Sequence, residues 1–359
     1  MKAALADRLL AEVMEWTPQD VARERPILQV LADLKYDAYQ QYSPGMRFVE
    51  SLALWLDQFE DPDERRIAFD FIKQRLVFLA SAEMDHFAAI AYPDFIRPKL
   101  LDHAAQTEGI PRFHLRRVLA SETFARLQGS TIFCGLSDGA RIDFFRRSNR
   151  QLSHEQIFQS YDLSDEKLEE LQAQLLKRGD NPPCRALVLL DDFSASGTSY
   201  FRRENGSYKG KVAKFLSRTK EHDVWKSLVR FPETKIIVAV YAATDTAVEA
   251  ICAGAKEFLQ DDIDCFHVTV VQRLQPQICL SPGDDAPFVQ LAEKYYDSSV
   301  EDGHTRKGGT DLKFGFAGGG LPLVLHHNTP NNSLFLLWAP EGSSVRALFP
   351  RVSRHRSEG

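Results

Sequence analysis

The sequence predicts an α/β protein, in which a doubly wound parallel sheet follows an N-terminal all-helical domain. From about residue 130, short apolar runs alternate with stretches of helical periodicity, which is the order that builds a parallel sheet covered by helices. Before about residue 110, apolar residues instead recur at helical spacing between breaks at prolines. At 359 residues, the chain is long enough for both domains.

The predicted helices of residues 1–110 are rich in aromatic residues, which favours a helical-bundle core; the alternative is a docking surface for a protein partner. We therefore expect a helical domain over 1–110 and an α/β domain over 111–345. The remaining residues, 346–359, are predicted to be a disordered tail because they are polar and basic from Arg351 onward.

The α/β region contains four predicted strands, four predicted helices and a late hairpin. The strands are at 130–134, 186–190, 235–241 and 265–271. The helices are at about 164–178, 198–218, 245–258 and 286–297. The glycine-rich stretch 315–320 leads into a predicted β-hairpin with strands at 321–325 and 333–338.

Residues 186–199 carry the strongest functional signal. A fully apolar strand, typical of the centre of a parallel sheet, ends in two adjacent acids, Asp191 and Asp192, before a loop of small hydroxyl residues. Parallel sheets bind ligands at the carboxyl ends of their strands, and such a loop offers backbone N–H groups to a phosphate. Two carboxylates beside it suit the vicinal hydroxyls of a ribose, or Mg²⁺. An ordinary strand-turn-helix with polar turn residues is the alternative interpretation.

A phosphatase of the haloacid dehalogenase type would need a second acid two residues after the first, where Phe193 or Ser194 stands. The segment instead resembles the binding signature of type I phosphoribosyltransferases. This resemblance implies that Asp191 and Asp192 hold the ribose hydroxyls of phosphoribosyl pyrophosphate and that the loop binds its 5-phosphate. The loop residues are Ser194, Ala195, Ser196, Gly197, Thr198 and Ser199.

A second loop follows the predicted strand 130–134. In the phosphoribosyltransferase plan, the loop after the first strand binds the diphosphate, and it corresponds here to Gly135, Leu136, Ser137, Asp138, Gly139, Ala140 and Arg141. Backbone amides and the guanidinium of Arg141 would stabilise the leaving diphosphate. The expected catalytic residues are therefore Asp191, Asp192 and Arg141. Mg²⁺ is the implied cofactor; it keeps its waters and needs few protein ligands, so no metal-ligating residue is assigned.

One departure from the type I pattern leaves the activity open. These enzymes carry a mobile catalytic loop after the second strand, and residues 151–183 show no strand-loop-strand pattern. The loop is shortened, replaced, or supplied by residues 301–320. The chain is thus predicted to be either a phosphoribosyltransferase that releases diphosphate or a degenerate nucleotide-sensing module that signals to a partner protein through the helical domain.

The whole arrangement also resembles a phosphoribosyltransferase-like family of bacterial conflict and defence loci, including retron-type systems. The late segment Asn328–Asn332 contributes to this resemblance. It implies a role in antiviral defence, with His327, Asn328 and Asn332 as candidates for contacting an acceptor base.

Bulk properties exclude several other classes. A net charge of −6 argues against a general nucleic-acid coat. However, seven cations and one acid lie within 202–220, which leaves open a nucleic-acid contact, a phosphate funnel or a solvated helix. The longest apolar run, 236–243, is too short to span a membrane. Five scattered cysteines without CxxC spacing predict a cytoplasmic protein.

Overall fold

The computed structural model describes residues 3–42, 44–301 and 308–351. The chain forms two compact units, Met1–Glu83 with Gln275–Gly359, and Met84–Leu274. These units divide the chain elsewhere than at the predicted boundaries of 110 and 345. The helices between 84 and 129 belong to the α/β unit, and the residues after 274 share one hydrophobic core with the N-terminal helices.

The N-terminal part contains four helices and, unlike the all-helical prediction, one short strand. They are α1 Ala3–Val13, α2 Pro18–Leu34, α3 Phe48–Leu56, α4 Pro62–Arg75 and β1 Val77–Leu79. Helix α2 begins where the sequence predicts a break, because Thr17 and Asp20 form a capping box: Asp20 N donates to Thr17 Oγ1 at 3.2 Å and Thr17 N donates to Asp20 Oδ2 at 3.1 Å.

The α/β unit is built from helices and seven further strands among the described residues. Its helices are α5 Ser81–Ile90, which carries the chain in from the first unit, α6 Arg97–Glu108, α7 Leu115–Leu119, α8 Glu122–Gly129, α9 Ile142–Ser148, α10 Asp165–Leu176, α11 Lys211–Glu221, α12 Asp223–Leu228 and α13 Asp245–Leu259. Its strands are β2 Thr131–Gly135, β3 Ile157–Phe158, β4 Ala186–Ser194, β5 Arg202–Glu204, β6 Ser207–Lys209, β7 Lys235–Thr244 and β8 Phe266–Leu274. A π-helical turn, Ala91–Ile96, joins α5 to α6.

Five of these strands form one parallel sheet in the order β3-β2-β4-β7-β8. All the described side chains of β2 are buried, as are Ala186–Asp191 at the centre of β4, which explains their uninterrupted apolar runs. The chain starts at β2, places β3 on one side and continues with β4 on the other. This strand order confirms the predicted fold class and creates a topological switch point between β2 and β4.

The helix predicted over 198–218 is wrong in its first half. Residues 202–209 form the antiparallel hairpin β5–β6, and α11 begins only at Lys211. The turn of this hairpin is Asn205-Gly206, and both residues have positive φ, +49° and +79°. Asn-Gly is the preferred pair for a two-residue hairpin turn, so the local sequence does carry the signal for this hairpin.

The predicted hairpin of 321–325 and 333–338 is also wrong. The C-terminal part contains α14 Ala286–Lys294, β9 Leu323–Leu325 and α15 Phe335–Trp338. Strand β9 pairs in parallel with β1, with Phe78 opposite Val324, instead of with the residues that follow it. Residues 335–338 form a helical turn because all four side chains are buried, which a half-exposed hairpin strand could not achieve.

The predicted disordered tail is wrong for residues 346–351, which are ordered; residues 352–359 lie outside the described part. Leu348 and Phe349 are fully buried, and the Phe349 ring stacks on Phe48 with 5.8 Å between ring centroids. The polar residues that suggested disorder alternate with this buried apolar pair. No helix in the described parts of the chain has both the length and the apolar character needed to cross a bilayer.

We expect Phe349→Ala to lower the free energy of unfolding by about 3–5 kcal/mol, the usual effect of removing a buried phenyl ring. Urea unfolding measures this, with Arg346→Ala as the control because Arg346 is exposed and three residues away. The control is expected to stay within about 0.5 kcal/mol of the parent. Equal unfolding midpoints for Phe349→Ala and the parent would contradict the packing described.

Candidate functional site

The two predicted loops come together at the switch point between β2 and β4. Gly135, the last residue of β2, pairs with Leu190, so the acids of β4 lie directly beyond the end of β2. Leu136 N then donates to Leu190 O at 2.8 Å and starts the loop 135–141 beside the acids. The carboxyl ends of strands at such a point form the usual ligand crevice of an open α/β sheet.

The two adjacent acids lie in different environments. Strand β4 does not end before them but continues to Ser194, and successive side chains of a strand point to opposite faces of the sheet. Asp191 is fully buried, whereas Asp192 is half-buried. The sequence interpretation, in which both carboxylates face the ligand side by side, therefore does not describe their surroundings.

Both oxygens of Asp191 are engaged by residues of the protein. Lys211 Nζ donates to Oδ2 at 2.8 Å, and the Ser137 hydroxyl makes a short contact with Oδ1. Burial raises the pKa of the Asp191 carboxyl, and the charge of Lys211 opposes that rise. Sequence reasoning did not assign Lys211 to the site, because it lies 20 residues after Asp191 inside a cluster of cations.

Asp192 lies against the loop that follows β2. Ser137 Oγ is 3.2 Å from Asp192 Oδ1, and an added Cβ at Gly139 would overlap the carboxylate of Asp192. Only glycine fits at position 139 without displacing Asp192. Tyr241 of β7 donates to Ala140 O at 2.6 Å and so fixes this loop to the sheet. Burial, and after it the charge of Asp192, raises the pKa of Tyr241.

The predicted phosphate loop, residues 194–199, is anchored at its base and open at its tip. Thr244 Oγ1 donates to Ala195 O at 2.6 Å, and Gly197 N donates to Ser194 Oγ at 3.3 Å. Gly197 has φ +71°, and an added Cβ there would approach Ala247 O to 2.8 Å. Position 197 therefore requires glycine for both its backbone conformation and its packing.

The tip of this loop presents donors. Within the described residues, the backbone N–H groups of Ser196, Thr198 and Ser199 have no acceptor. The Ser196 and Thr198 hydroxyls lie 2.9 Å apart, both half-buried, and Ser199 is exposed. No helix begins at the loop, since the hairpin β5–β6 follows it, so the amides of the loop itself are the anion donors.

Arg141 begins helix α9 in a left-handed conformation, with φ +50°. Its Nε atom is 3.0 Å from Asp85 Oδ1 of helix α5, and its side chain is 22% exposed, so the guanidinium is oriented but accessible. Of the other cations considered with it, Arg146 donates to Ile157 O at 2.8 Å and so serves the fold. Arg147 and Arg150 are exposed.

The seven cations of 202–220 do not form one uncompensated patch. Arg202 pairs with Glu204 at 2.9 Å, Arg218 contacts Asp162, and Lys220 Nζ is 5.1 Å from the centre of the Phe258 ring. The nucleic-acid contact stays a prediction. The group that the structure does bring to the site from this cluster is Lys211.

The predicted acceptor residues lie in the other unit. Asn332 is buried and donates to Phe316 O at 2.9 Å, while Asn328 Oδ1 accepts from Thr329 N at 3.0 Å. The backbone carbonyl of His327 accepts from Gln41 Nε2 at 2.6 Å. These bonds hold the turn between β9 and α15, and a contact with an acceptor base stays a prediction.

Metal binding by this chain alone is limited. Among the described residues, no three His, Cys, Asp or Glu side chains are grouped as metal ligands. Of the two acids at the site, Asp192 fits Mg²⁺, which binds through one or two carboxylates and the phosphates of a substrate. Asp191 does not fit, because the Lys211 ammonium occupies its Oδ2.

Comparison with known proteins agrees with this geometry. The comparison with curated proteins gave no match, and the comparison with solved structures gave none. The family model PRTase-CE matches residues 52–351, which is well over half of the chain and includes both loops of the site. This match confirms the predicted phosphoribosyltransferase-like domain. The chain therefore belongs to the PRTase-CE family.

Proposed function

We propose that the α/β unit binds phosphoribosyl pyrophosphate or a related nucleotide with Mg²⁺ and transfers its phosphoribosyl group with release of diphosphate. The observation that carries this proposal is the loop 194–199, which presents three amide N–H groups without acceptors next to the half-buried carboxylate of Asp192. A phosphate accepts hydrogen bonds from such amides, and a carboxylate accepts them from sugar hydroxyls.

Each part of the ligand has a matching partner. The 5-phosphate binds the loop 194–199, and the ribose hydroxyls donate to Asp192. The loop 135–141 supports the diphosphate through backbone amides and Arg141, whose guanidinium Asp85 orients at 3.0 Å. Asp191 supports the site from the buried side without contacting the ligand.

Transfer breaks the bond between C1 of the ribose and a diphosphate oxygen, which leaves with the electron pair, while the acceptor forms a new bond to C1. Positive charge develops on the sugar and negative charge on the leaving group. The residues of this chain act by positioning and by electrostatic stabilisation of those charges. Bound Mg²⁺ would supply further neutralisation of the diphosphate.

A second candidate function is binding without transfer, and the connection after β3 favours it. Only residues 159–164 separate β3 from α10, so this part of the chain holds no long loop to close over a substrate. The site would then sense the nucleotide and signal to a partner protein, in a cytoplasmic defence system as the family resemblance implies. Calorimetry with phosphoribosyl pyrophosphate, run beside a diphosphate-release assay over several bases, separates the candidates: tight binding without release indicates sensing.

We expect Asp192→Asn to weaken binding of phosphoribosyl pyrophosphate by about 10- to 100-fold, because hydrogen bonds to a charged acceptor are lost, and to leave stability nearly unchanged. Calorimetry and thermal unfolding measure the two effects. Asp223→Asn is the matched control, since that side chain is 98% exposed. Binding by Asp192→Asn at the parent affinity would exclude the proposed role of Asp192.

We expect Gly139→Ala to weaken the same binding by about tenfold or more, because the new Cβ must displace the Asp192 carboxylate. Gly283→Ala is the control, since the nearest atom to a Cβ there is Ser281 Oγ at 3.9 Å. The measurement is again calorimetry. A loss of affinity as large in Gly283→Ala as in Gly139→Ala would show that the effect is not local to Asp192.

A further inference from the structure

A continuous series of polar contacts leads from Lys211 to Asp192. Lys211 Nζ donates to Asp191 Oδ2 at 2.8 Å, Ser137 Oγ makes a short contact with Asp191 Oδ1, and the same Oγ is 3.2 Å from Asp192 Oδ1. The series joins the buried acid to the half-buried one through a single hydroxyl.

The Ser137 hydroxyl has one proton and therefore donates to only one of the two carboxylates. The shorter contact assigns that proton to Asp191. Ser137 Oγ then turns a lone pair toward Asp192, which leaves two acceptor oxygens 3.2 Å apart. Such a pair is stabilised when a donor from outside, such as a sugar hydroxyl, comes between them.

The backbone fixes Lys211 to the end of the phosphate loop. Lys211 N donates to Ser199 O at 2.8 Å, and Ala213 N donates to Tyr200 O at 3.2 Å, so the base of the hairpin β5–β6 is closed. Gly210 between them has φ +111°, and a Cβ there would overlap the Tyr200 carbonyl. The ammonium of Lys211 is therefore held in register with residues 194–199.

We propose that Lys211, Asp191 and Ser137 form a positioning chain, which directs the Ser137 hydroxyl away from Asp192 and so prepares Ser137 and Asp192 to accept a sugar hydroxyl. This inference rests on the proposed function. Asp191 and Lys211 are positioning residues in it, not ligand contacts. The substrate class that follows is a phosphorylated sugar with a complete pair of ribose hydroxyls, distinguished from its 2-deoxy counterpart.

The test uses ribose 5-phosphate and 2-deoxyribose 5-phosphate as probes, in calorimetry with EDTA so that no divalent cation contributes. The full-length parent is expected to prefer ribose 5-phosphate by about tenfold, the effect of one hydrogen bond to a charged group. The double variant Lys211→Met with Asp191→Asn removes both charges of the buried pair and so avoids leaving one of them uncompensated. It is expected to lose that preference.

Ser137→Ala is expected to lose the preference to the same extent, and the triple variant to lose no more than either, because all act through one hydroxyl. Lys211→Arg is expected to restore it. Lys214→Met, an exposed lysine one turn further along α11, is the control and should bind like the parent. Thermal unfolding of each variant confirms that it is folded, and Ser137→Ala tests the chain should the double variant fail to fold.

Two results overturn the inference without touching the proposed function: parent-like sugar preference in the folded double variant or in Ser137→Ala, or additive losses in the triple variant. Either result would mean that the buried pair serves stability alone. A parent protein that binds neither these probes nor phosphoribosyl pyrophosphate would overturn both the inference and the proposed function.

Discussion

The central position of β4 is the constraint on which the rest of the site depends. Because β2 and β7 flank it, β4 stays extended through Ser194, beyond the residue where β2 ends. The alternation of side chains therefore continues through the acids and sends Asp191 toward the buried cluster of Lys211 and Tyr200. Asp192 turns toward Gly139 and Tyr241. One sheet register thus divides two chemically identical neighbours into a buried support and an accessible acceptor.

Burial of Asp191 needs a compensating partner, since a carboxylate removed from water without one is strongly destabilised. Lys211 provides the charge and Ser137 a hydrogen bond, so both carboxylate oxygens are satisfied. Such pairs contribute little net stability relative to well-packed apolar residues. The pair is better explained by the geometry it imposes, because it ties the phosphate loop, the loop 135–141 and the central strand to one another.

The sequence was informative wherever the determining signal was local. The four predicted strands appear within a few residues of their observed bounds, because uninterrupted apolar runs such as 186–190 leave few alternatives. The two loops were placed correctly at the strand ends for the same reason. Asn205-Gly206 shows a local signal that was overlooked, since helical spacing of the surrounding cations concealed a hairpin turn.

Other features depend on contacts between distant parts of the chain, which no local pattern specifies. Strand β9 pairs with β1 instead of forming a hairpin, and residues 334–338 are buried by helices from the other end of the sequence. Lys211 reaches Asp191 only because the hairpin β5–β6 returns the chain to its starting point. Tyr241 and Asp85, which hold the loop 135–141 and Arg141, likewise come from separate elements.

The same geometry bears on whether the site transfers or only binds. The groups that hold the sugar and its phosphate are fixed by short contacts within the sheet and need no rearrangement, which favours tight ground-state binding. Catalysis requires, in addition, stabilisation that grows as the diphosphate departs. In this chain the oriented guanidinium of Arg141 is placed to provide it, because Asp85 holds its Nε and leaves the planar group partly accessible. An arginine oriented in advance needs little reorganisation when charge develops, and this is the condition under which electrostatic stabilisation lowers a barrier. The distinction between enzyme and sensor therefore depends on Arg141 more than on the acids that first identified the site.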